Sequence, residues 1–310
     1  MAARRKRAMP VWAAALILLV AAVGYFLNQG GPAASPEPNK AVQTQANGDA
    51  LIYYLDVGQG DSQLIRLPDG KNILIDAGTR SSAKELVSYL KDLGVEKIDI
   101  LVATHPHEDH IGGMPEVIQN FEIGKVYVPK VADSQIPTTK IYESFLNAVA
   151  EKGLKLTAAK GGDVILDGGG ARLEFFAPNS EKYDGLNSYS VVAKLTYGQK
   201  SFLFTGDAEK DSESEMVKLG YALKSDVLKC GHHGSNTSTR ALFLNAVAPA
   251  YAVISCGVDN DYGHPHKETV DRLEKAGVTI YRTDQQDTVL ARCDGESITF
   301  QPRQPAVIEK

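Results

Sequence analysis

An α+β fold is predicted for residues 50–310, and three observations predict it. Short apolar stretches rich in β-branched residues recur along the whole segment. Tight-turn signals such as Pro68-Asp69-Gly70 and Gly198-Gln199 join some of them as hairpins. Stretches with helical spacing separate others, so strands and helices mix in both halves of the segment.

Taken in order, Leu51 to Leu55 and Ser62 to Leu67 are strands divided by the turn Gly58-Gln59-Gly60-Asp61. A third strand, Asn72 to Ile75, follows the Pro68-Asp69-Gly70 turn. Ser81 to Leu93 carries Leu86, Leu90 and Leu93 at helical spacing, with Gly94 as its stop. Strand Ile98 to Val102 comes next. Helical stretches at Pro115 to Asn120 and Lys140 to Lys152 flank strand Lys125 to Val128. In the second half, Asp163 to Leu166, Ala171 to Phe176, Ser190 to Tyr197 and Lys200 to Thr205 read as strands. Helices are expected at Glu209 to Lys218, Arg240 to Val247 and Lys267 to Ala276, with strands Val227 to Lys229, Tyr251 to Ile254 and Thr279 to Tyr281 between them. Antiparallel strands Thr288 to Arg292 and Ser297 to Gln301 close the chain.

Residues 1–49 are set apart from this body. Arg4, Arg5, Lys6 and Arg7 precede an apolar run from Val11 to Leu27. At 1.5 Å rise per residue that run reaches about 25 Å, enough to cross a bilayer core. The basic flank should stay in the cytoplasm. Residues 1–27 are therefore expected to be a signal anchor in the bacterial cytoplasmic membrane, with the body outside. A cleaved signal near Ala33, Ala34 and Ser35, with secretion, is the alternative. Residues 28–49 are rich in Gly, Pro, Ala, Gln and Asn and read as a flexible tether.

Composition narrows the function classes. At 43% hydrophobic and 23% charged, the chain can build a full core and is neither collagen-like nor disordered. The net charge is −5, and it falls to −9 once the four N-terminal basic residues are set aside. That argues against a broadly basic nucleic-acid coat but leaves room for a local basic groove. Lys200, Lys229, Arg240, Lys267 and Arg282 lie in or beside the segments expected to ring a site. Three cysteines, Cys230, Cys256 and Cys293, are too few for a disulfide scaffold and lack zinc-ribbon spacing.

The histidines carry the chemistry. All seven fall in three short clusters: His105, His107 and His110; His232 and His233; His264 and His266. Each cluster sits beside glycine and just after an apolar strand. In the first, alternation puts His105 and His107 on one side of a loop, suited to one metal ion. Asp109 and His110 can then reach a second. Mixed imidazole and carboxylate ligands suit Zn²⁺, and also Mn²⁺ or Fe²⁺. Gly112 and Gly113 allow a tight turn before the next helix.

Thr104-His105-Pro106-His107-Glu108-Asp109-His110 resembles the His-x-His-x-Asp-His signature of the metallo-β-lactamase superfamily. Leu74-Ile75-Asp76-Ala77-Gly78 and Phe204-Thr205-Gly206-Asp207 resemble its strand-ending aspartate motifs. Leu55 to Asp61, Asn187 to Ser190, Lys229 to Ser235 and Tyr262 to Pro265 together resemble the hydrolase domain of ComEC-type DNA-uptake competence proteins. The resemblance covers about residues 51–300. It implies a four-layer αββα sandwich and makes residues 50–310 a metallo-hydrolase domain.

The resemblance also implies roles. His105 and His107 would bind metal one, Asp109 and His110 metal two, and Asp207 would bridge them. His233 is favoured as a further ligand of metal two and His232 as a contact to substrate oxygen, with the reverse open. Asp109, His232 and His264 are the candidate catalytic residues. Asp76 would orient ligands from behind, and Asp56 and Gln59 would line the mouth of the site. Many members of the superfamily supply a further histidine to metal one, but here no histidine lies between His110 and His232. Oxygen ligands from Asn187 or Ser188, or water, would then stand in, which should favour Mn²⁺ over Zn²⁺.

The implied function is phosphodiester hydrolysis with two divalent ions, Zn or Mn, most specifically as a DNase on single-stranded DNA. A cell-wall phosphorylcholine or teichoic-acid phosphodiesterase is the alternative. β-Lactam hydrolysis and a metal-free binding module rank below these.

Overall fold

The computed structural model of the chain describes residues 48–304 and residue 307. Its strands are β1 (Ala50–Tyr54), β2 (Gln63–Arg66), β3 (Asn72–Ile75), β4 (Lys97–Val102), β5 (Glu122–Pro129), β6 (Leu156–Ala159), β7 (Val164–Gly168), β8 (Ala171–Ala177), β9 (Val192–Tyr197), β10 (Lys200–Phe204), β11 (Val227–Lys229), β12 (Tyr251–Ile254), β13 (Thr279–Arg282), β14 (Thr288–Cys293) and β15 (Ile298–Gln304). Its helices are α1 (Ala83–Asp92), α2 (Glu108–Ile111), α3 (Met114–Asn120), α4 (Lys140–Glu151), α5 (Lys210–Lys218), α6 (Ala241–Val247), α7 (Lys267–Lys275) and α8 (Thr283–Gln286).

The strands form two sheets. One has eight strands in the order β15-β14-β1-β2-β3-β4-β5-β6, and the other seven in the order β13-β12-β11-β10-β9-β8-β7. A single apolar cluster takes residues from both. Ile52, Tyr54, Ile65, Ile73, Ile75 and Val102 of the first sheet meet Leu173, Phe175, Leu195, Phe202 and Phe204 of the second. Side chains alternate along a strand, so the other face of each sheet needs its own cover. On the first sheet the opposed residues Leu64, Leu74 and Leu101 alternate with that cluster. Helices α1, α3 and α4 lie side by side and bury Leu86, Leu90, Val117, Ile118 and Phe145. On the second sheet Leu203, Leu228, Ala252 and Ile254 pack with Met216 of α5, Phe243 and Val247 of α6, and Leu273 of α7. The result is the four-layer αββα sandwich. Burial of each such Leu, Ile or Phe is worth about 1.5–3 kcal/mol.

This topology places chemistry at one end. Strands β3, β4 and β5 run parallel in the first sheet, and β10, β11 and β12 run parallel in the second. The carboxyl ends of parallel strands are where open α/β sheets present their loops. Asp76 follows β3, Thr104 and His105 follow β4, Asp207 follows β10, and His232 and His233 follow β11.

The membrane-anchor expectation is corrected here. Among the described residues no helix is long and apolar enough to cross a membrane. The run at residues 11–27 on which the anchor was placed, and residues 28–47 of the tether, lie outside the described residues. The anchored, outward-facing location is therefore set aside.

Candidate metal centre

Three short strand-to-loop transitions build the site. The first is strained. Asp76 has a φ of 58°, in the left-handed region that non-glycine residues rarely adopt. The turn aims its carboxylate across to the next strand. Its Oδ1 accepts the backbone N–H of Thr104 at 2.8 Å and its Oδ2 the Thr104 hydroxyl at 2.6 Å. Oδ2 also accepts from His110 Nδ1 at 2.7 Å. Asp76 thus fixes the ring of His110 and turns its other nitrogen, Nε2, into the site.

The second transition is the histidine-rich loop after β4. His107 occupies the position before the first turn of α2, so Asp109 and His110 lie on that turn rather than on an extended loop. Gly112 and Gly113 serve close approach here, not a special backbone angle. A Cβ on Gly113 would lie 2.2 Å from the Ala77 carbonyl oxygen. His105 Nδ1 faces the Thr104 hydroxyl at 3.1 Å and the Ser190 hydroxyl at 3.3 Å, which leaves Nε2 directed inward. That Nε2 lies 2.9 Å from His107 Nδ1.

The third transition brings in Asp207 and the histidine pair. The Ser190 hydroxyl accepts the Asp207 backbone N–H at 3.0 Å, tying the segment before β9 to the loop after β10. His232 and His233 are both left-handed, with φ of 51° and 53°. Strain of this kind costs on the order of 1–3 kcal/mol per residue and gathers at functional sites. It splays the two rings. His233 Nδ1 donates to the Ser255 carbonyl at 2.9 Å, and its Nε2 lies 3.1 Å from Asp109 Oδ2. His232 Nδ1 is held by Glu209 Oε1 at 3.3 Å and by the Thr237 hydroxyl at 3.2 Å.

Asp207 stands between two groups of side chains. Its Oδ1 lies 3.3 Å from His110 Nε2 and 3.7 Å from His233 Nε2. Its Oδ2 lies 3.7 Å from His105 Nε2 and 3.8 Å from His232 Nε2. Asp109, His110, Asp207 and His233 each offer a ligand atom, and these atoms lie within 4.8 Å of one another.

The donor set fits a divalent cation. His110 Nε2 and Asp207 Oδ1 are buried and face each other at 3.3 Å, without the geometry of a hydrogen bond, and no other protein group satisfies either among the described residues. Buried polar atoms of that kind are costly unless something binds them. The electrostatics agree. Burial opposes charge on His110 and His233, but Asp207 and Asp109 outweigh it and hold both imidazoles above their ordinary value. The same attraction overcomes burial of Asp109 and Asp207 and holds them well below the carboxylate range. On the other side, burial and then the charge of neighbouring His110 push His105 well below its ordinary value, and burial lowers His107. Those two rings are neutral nitrogens, as ligands must be.

The remaining expected residues divide. His264 is held at the rim, its ring 5.4 Å from that of His232 and 6.0 Å from that of His233. Burial and the adjacent histidines push it down to about 4. Gln59 ties the rim, accepting from the Gly257 N–H at 3.1 Å and reaching His264 Nδ1 with its amide nitrogen at 3.5 Å. Asp56 caps the Gly58 N–H at 3.2 Å within its own turn. Asn187 turns its amide nitrogen to Glu209 Oε1 at 3.4 Å, the oxygen that also engages His232 Nδ1, so it braces His232 through Glu209. Ser188 is buried, and no side-chain hydrogen bond joins it to the cluster among the described residues.

Sequence reasoning missed Glu209, Thr237 and the hydroxyl of Ser190. Glu209 stands two positions after Asp207, a local signal that was available. The basic ring also differs from expectation. Lys229 is fully buried against Asp61, while Lys200, Lys267 and Arg282 pair with Asp226, Asp271 and Asp284. All three cysteines are buried free thiols.

Comparison with known proteins follows the same line. The metallo-β-lactamase superfamily profile matches residues 55–258. The chain is 31% identical over 268 residues to ComE operon protein 3 of Bacillus subtilis, covering 80% of this chain and 34% of that protein. It is 33% identical over 238 residues to competence protein ComA of Neisseria gonorrhoeae, covering 76% and 31%. It is 32% identical over 238 residues to recombination protein 2 of Haemophilus influenzae, covering 75% and 27%. The chain thus spans about a third of the length of these relatives. Among solved structures, CmlA, a diiron β-hydroxylase from Streptomyces venezuelae, aligns with a TM-score of 0.51 at 15% identity, over 76% of this chain and 53% of that one, a likeness of fold alone. Fold, donor set and sequence agree: the chain belongs to the metallo-β-lactamase superfamily, as a metallo-hydrolase whose relatives include competence proteins.

Proposed function

We propose that the protein is a binuclear metal-dependent phosphodiesterase that acts as a nuclease on single-stranded DNA. One observation carries the reading: the two carboxylate oxygens of Asp207 face two different groups of nitrogens. Asp109, His110 and His233 would hold one ion and His105 and His107 the other, with Asp207 shared. His232 joins the His105 group rather than standing as a substrate contact, because its Nε2 faces the same Asp207 oxygen. With His232 as a third imidazole, both Mn²⁺ and Zn²⁺ would suit the set. The single-stranded DNA assignment draws on the similarity to competence proteins along most of the domain.

When bound, divalent ions there would polarise a phosphoryl oxygen and bring the pKa of a water near neutrality. The chain's own groups arrange the rest. Asp76, Ser190, Ser255 and Glu209 each engage the outward nitrogen of a histidine and so aim its inner nitrogen. Gln59 turns its amide nitrogen to His264 Nδ1 at 3.5 Å; with Nδ1 accepting, the ring would carry its proton on Nε2 and could donate to a substrate oxygen at the rim. The convergence of four buried or half-buried ligand atoms from Asp109, His110, Asp207 and His233 weighs against a metal-free binding module.

The test is an activity panel on the full chain with Mn²⁺ or Zn²⁺, using single- and double-stranded DNA, RNA, bis-p-nitrophenyl phosphate, p-nitrophenylphosphorylcholine and nitrocefin. Chelator-sensitive cleavage of single-stranded DNA is expected. Intact DNA with turnover of the phosphorylcholine ester would replace the nuclease by the wall-polymer esterase.

A further inference from the structure

Tyr262 is the most exposed large apolar or aromatic side chain among the described residues, at 67%. It stands on the loop that closes the site, and it is not isolated there. Its ring lies 5.6 Å from that of His264 with 20° between planes, and the His264 ring lies 6.0 Å from that of His233 with 25° between planes. Three near-parallel rings therefore step outward from the metal centre to solvent.

The loop that carries Tyr262 is held firmly. Asn260 Nδ2 donates to the carbonyls of Gly257 at 2.9 Å and His264 at 2.7 Å, and its Oδ1 accepts the His264 N–H at 2.9 Å. Gln59 clamps both ends of the same loop from the opposite sheet, through Gly257 and His264. A ring carried on a pinned loop, with one face against His264 and the rest in water, has an open face for a flat partner.

We propose that Tyr262 is a stacking platform for an unpaired nucleobase next to the scissile phosphate, which makes the site selective for single-stranded nucleic acid; this rests on the phosphodiesterase reading above. Two features favour a base. Of the five basic residues expected around the site, Lys200, Lys229, Lys267 and Arg282 are each paired with a carboxylate and Lys229 is fully buried, which leaves Arg240 without an ion pair among the described residues and weakens the grip on phosphates. Stacking then has to hold the strand, and a base stacks whatever its sequence. Second, a quaternary ammonium is recognised by a cage of several aromatic faces, whereas the inner face of Tyr262 is already covered by His264.

The test compares wild type, Tyr262→Ala and Tyr262→Phe on a single-stranded oligonucleotide and on the same strand with one abasic position at each site in turn. Binding is read without metal by the quenching of a 2-aminopurine base, and cleavage is read with Mn²⁺. Tyr262→Ala should weaken binding of the intact strand on the order of 5- to 100-fold and raise KM rather than lower kcat, while Tyr262→Phe stays within about twofold. One abasic position should produce the same loss in wild type and no further loss in Tyr262→Ala. Equal binding by all three proteins, or additive losses in the abasic strand, would overturn the platform while leaving wild-type DNA cleavage intact. If wild type leaves DNA uncleaved, the phosphodiesterase reading has failed first. Turnover of p-nitrophenylphosphorylcholine that depends on Tyr262 would assign the ring to a trimethylammonium and overturn the proposal.

Discussion

Lys229 and Asp61 form an ion pair with no exposure to solvent on either side chain, directly beneath the candidate metal centre. Lys229 ends β11 and Asp61 closes the turn before β2, so the pair stitches the two sheets together. Burial opposes the lysine's charge, but Asp61 and Asp207 outweigh it and hold the ammonium above its ordinary value. One cation thus offsets part of the negative charge that Asp61, Asp76 and Asp207 gather in the interior.

Removing one partner strands the other charge. Lys229→Met is expected to destabilise the fold by about 3–5 kcal/mol, read as a lower midpoint in urea unfolding. Lys229→Met with Asp61→Leu should recover much of that loss, since a buried pair is replaced more cheaply than it is broken. Equal stability of Lys229→Met and wild type would contradict the arrangement.

Metal binding should release protons. His110 and His233 are held above their ordinary value by Asp109 and Asp207, and a coordinating imidazole nitrogen must be bare. Apparent affinity for Zn²⁺ or Mn²⁺ should therefore rise with pH above 7. Calorimetric titration in buffers of different ionisation enthalpy should show protons leaving the chain. Heats independent of the buffer would contradict this.

Glu209 is expected to act on the metal centre through His232. Hydrogen bonding to His232 pulls its carboxyl below the ordinary range. Glu209→Gln should weaken the ion on the His105 side by about 10- to 100-fold and leave the other unchanged, which stepwise metal titration resolves.

A pH effect on stability should come from Glu213. Burial pushes its carboxyl up to about 8, against the backbone N–H groups of Arg240 and Thr239. Between about 4.5 and 8 the folded chain keeps a proton that the unfolded chain has shed. This contribution is thus fully present below pH 4.5 and lost as pH rises through 8. A tenfold change in proton affinity is worth about 1.4 kcal/mol, so the swing is on the order of a few kcal/mol. Unfolding of Glu213→Gln across this range should lack that slope.

Much of the fold was legible because its signals are local. β3, β4, β10 and β11 are apolar runs that end at chemistry-bearing residues, and period and turn chemistry expose them. β6, Leu156–Ala159, was not read, because it is a half-exposed edge strand without clear alternation. The first turn of α2 was hidden inside the histidine loop. At the site, clustering marked the histidines, and the resemblance of Phe204-Thr205-Gly206-Asp207 to a superfamily motif marked Asp207. The pairing of Lys229 with Asp61 spans 168 positions and leaves no trace in local pattern. The division of His232 from His233 was equally illegible, since it depends on two left-handed backbone angles.

The shared role of Asp207 is the claim on which the rest turns, and metal stoichiometry tests it most directly. Elemental analysis of the full chain equilibrated with Mn²⁺ or Zn²⁺ should give two ions per chain in wild type. Asp207→Ala should lose at least one ion while circular dichroism stays unchanged, and cleavage of bis-p-nitrophenyl phosphate should disappear with it. Two tightly held ions in Asp207→Ala, or full cleavage by wild type in excess chelator, would contradict the account.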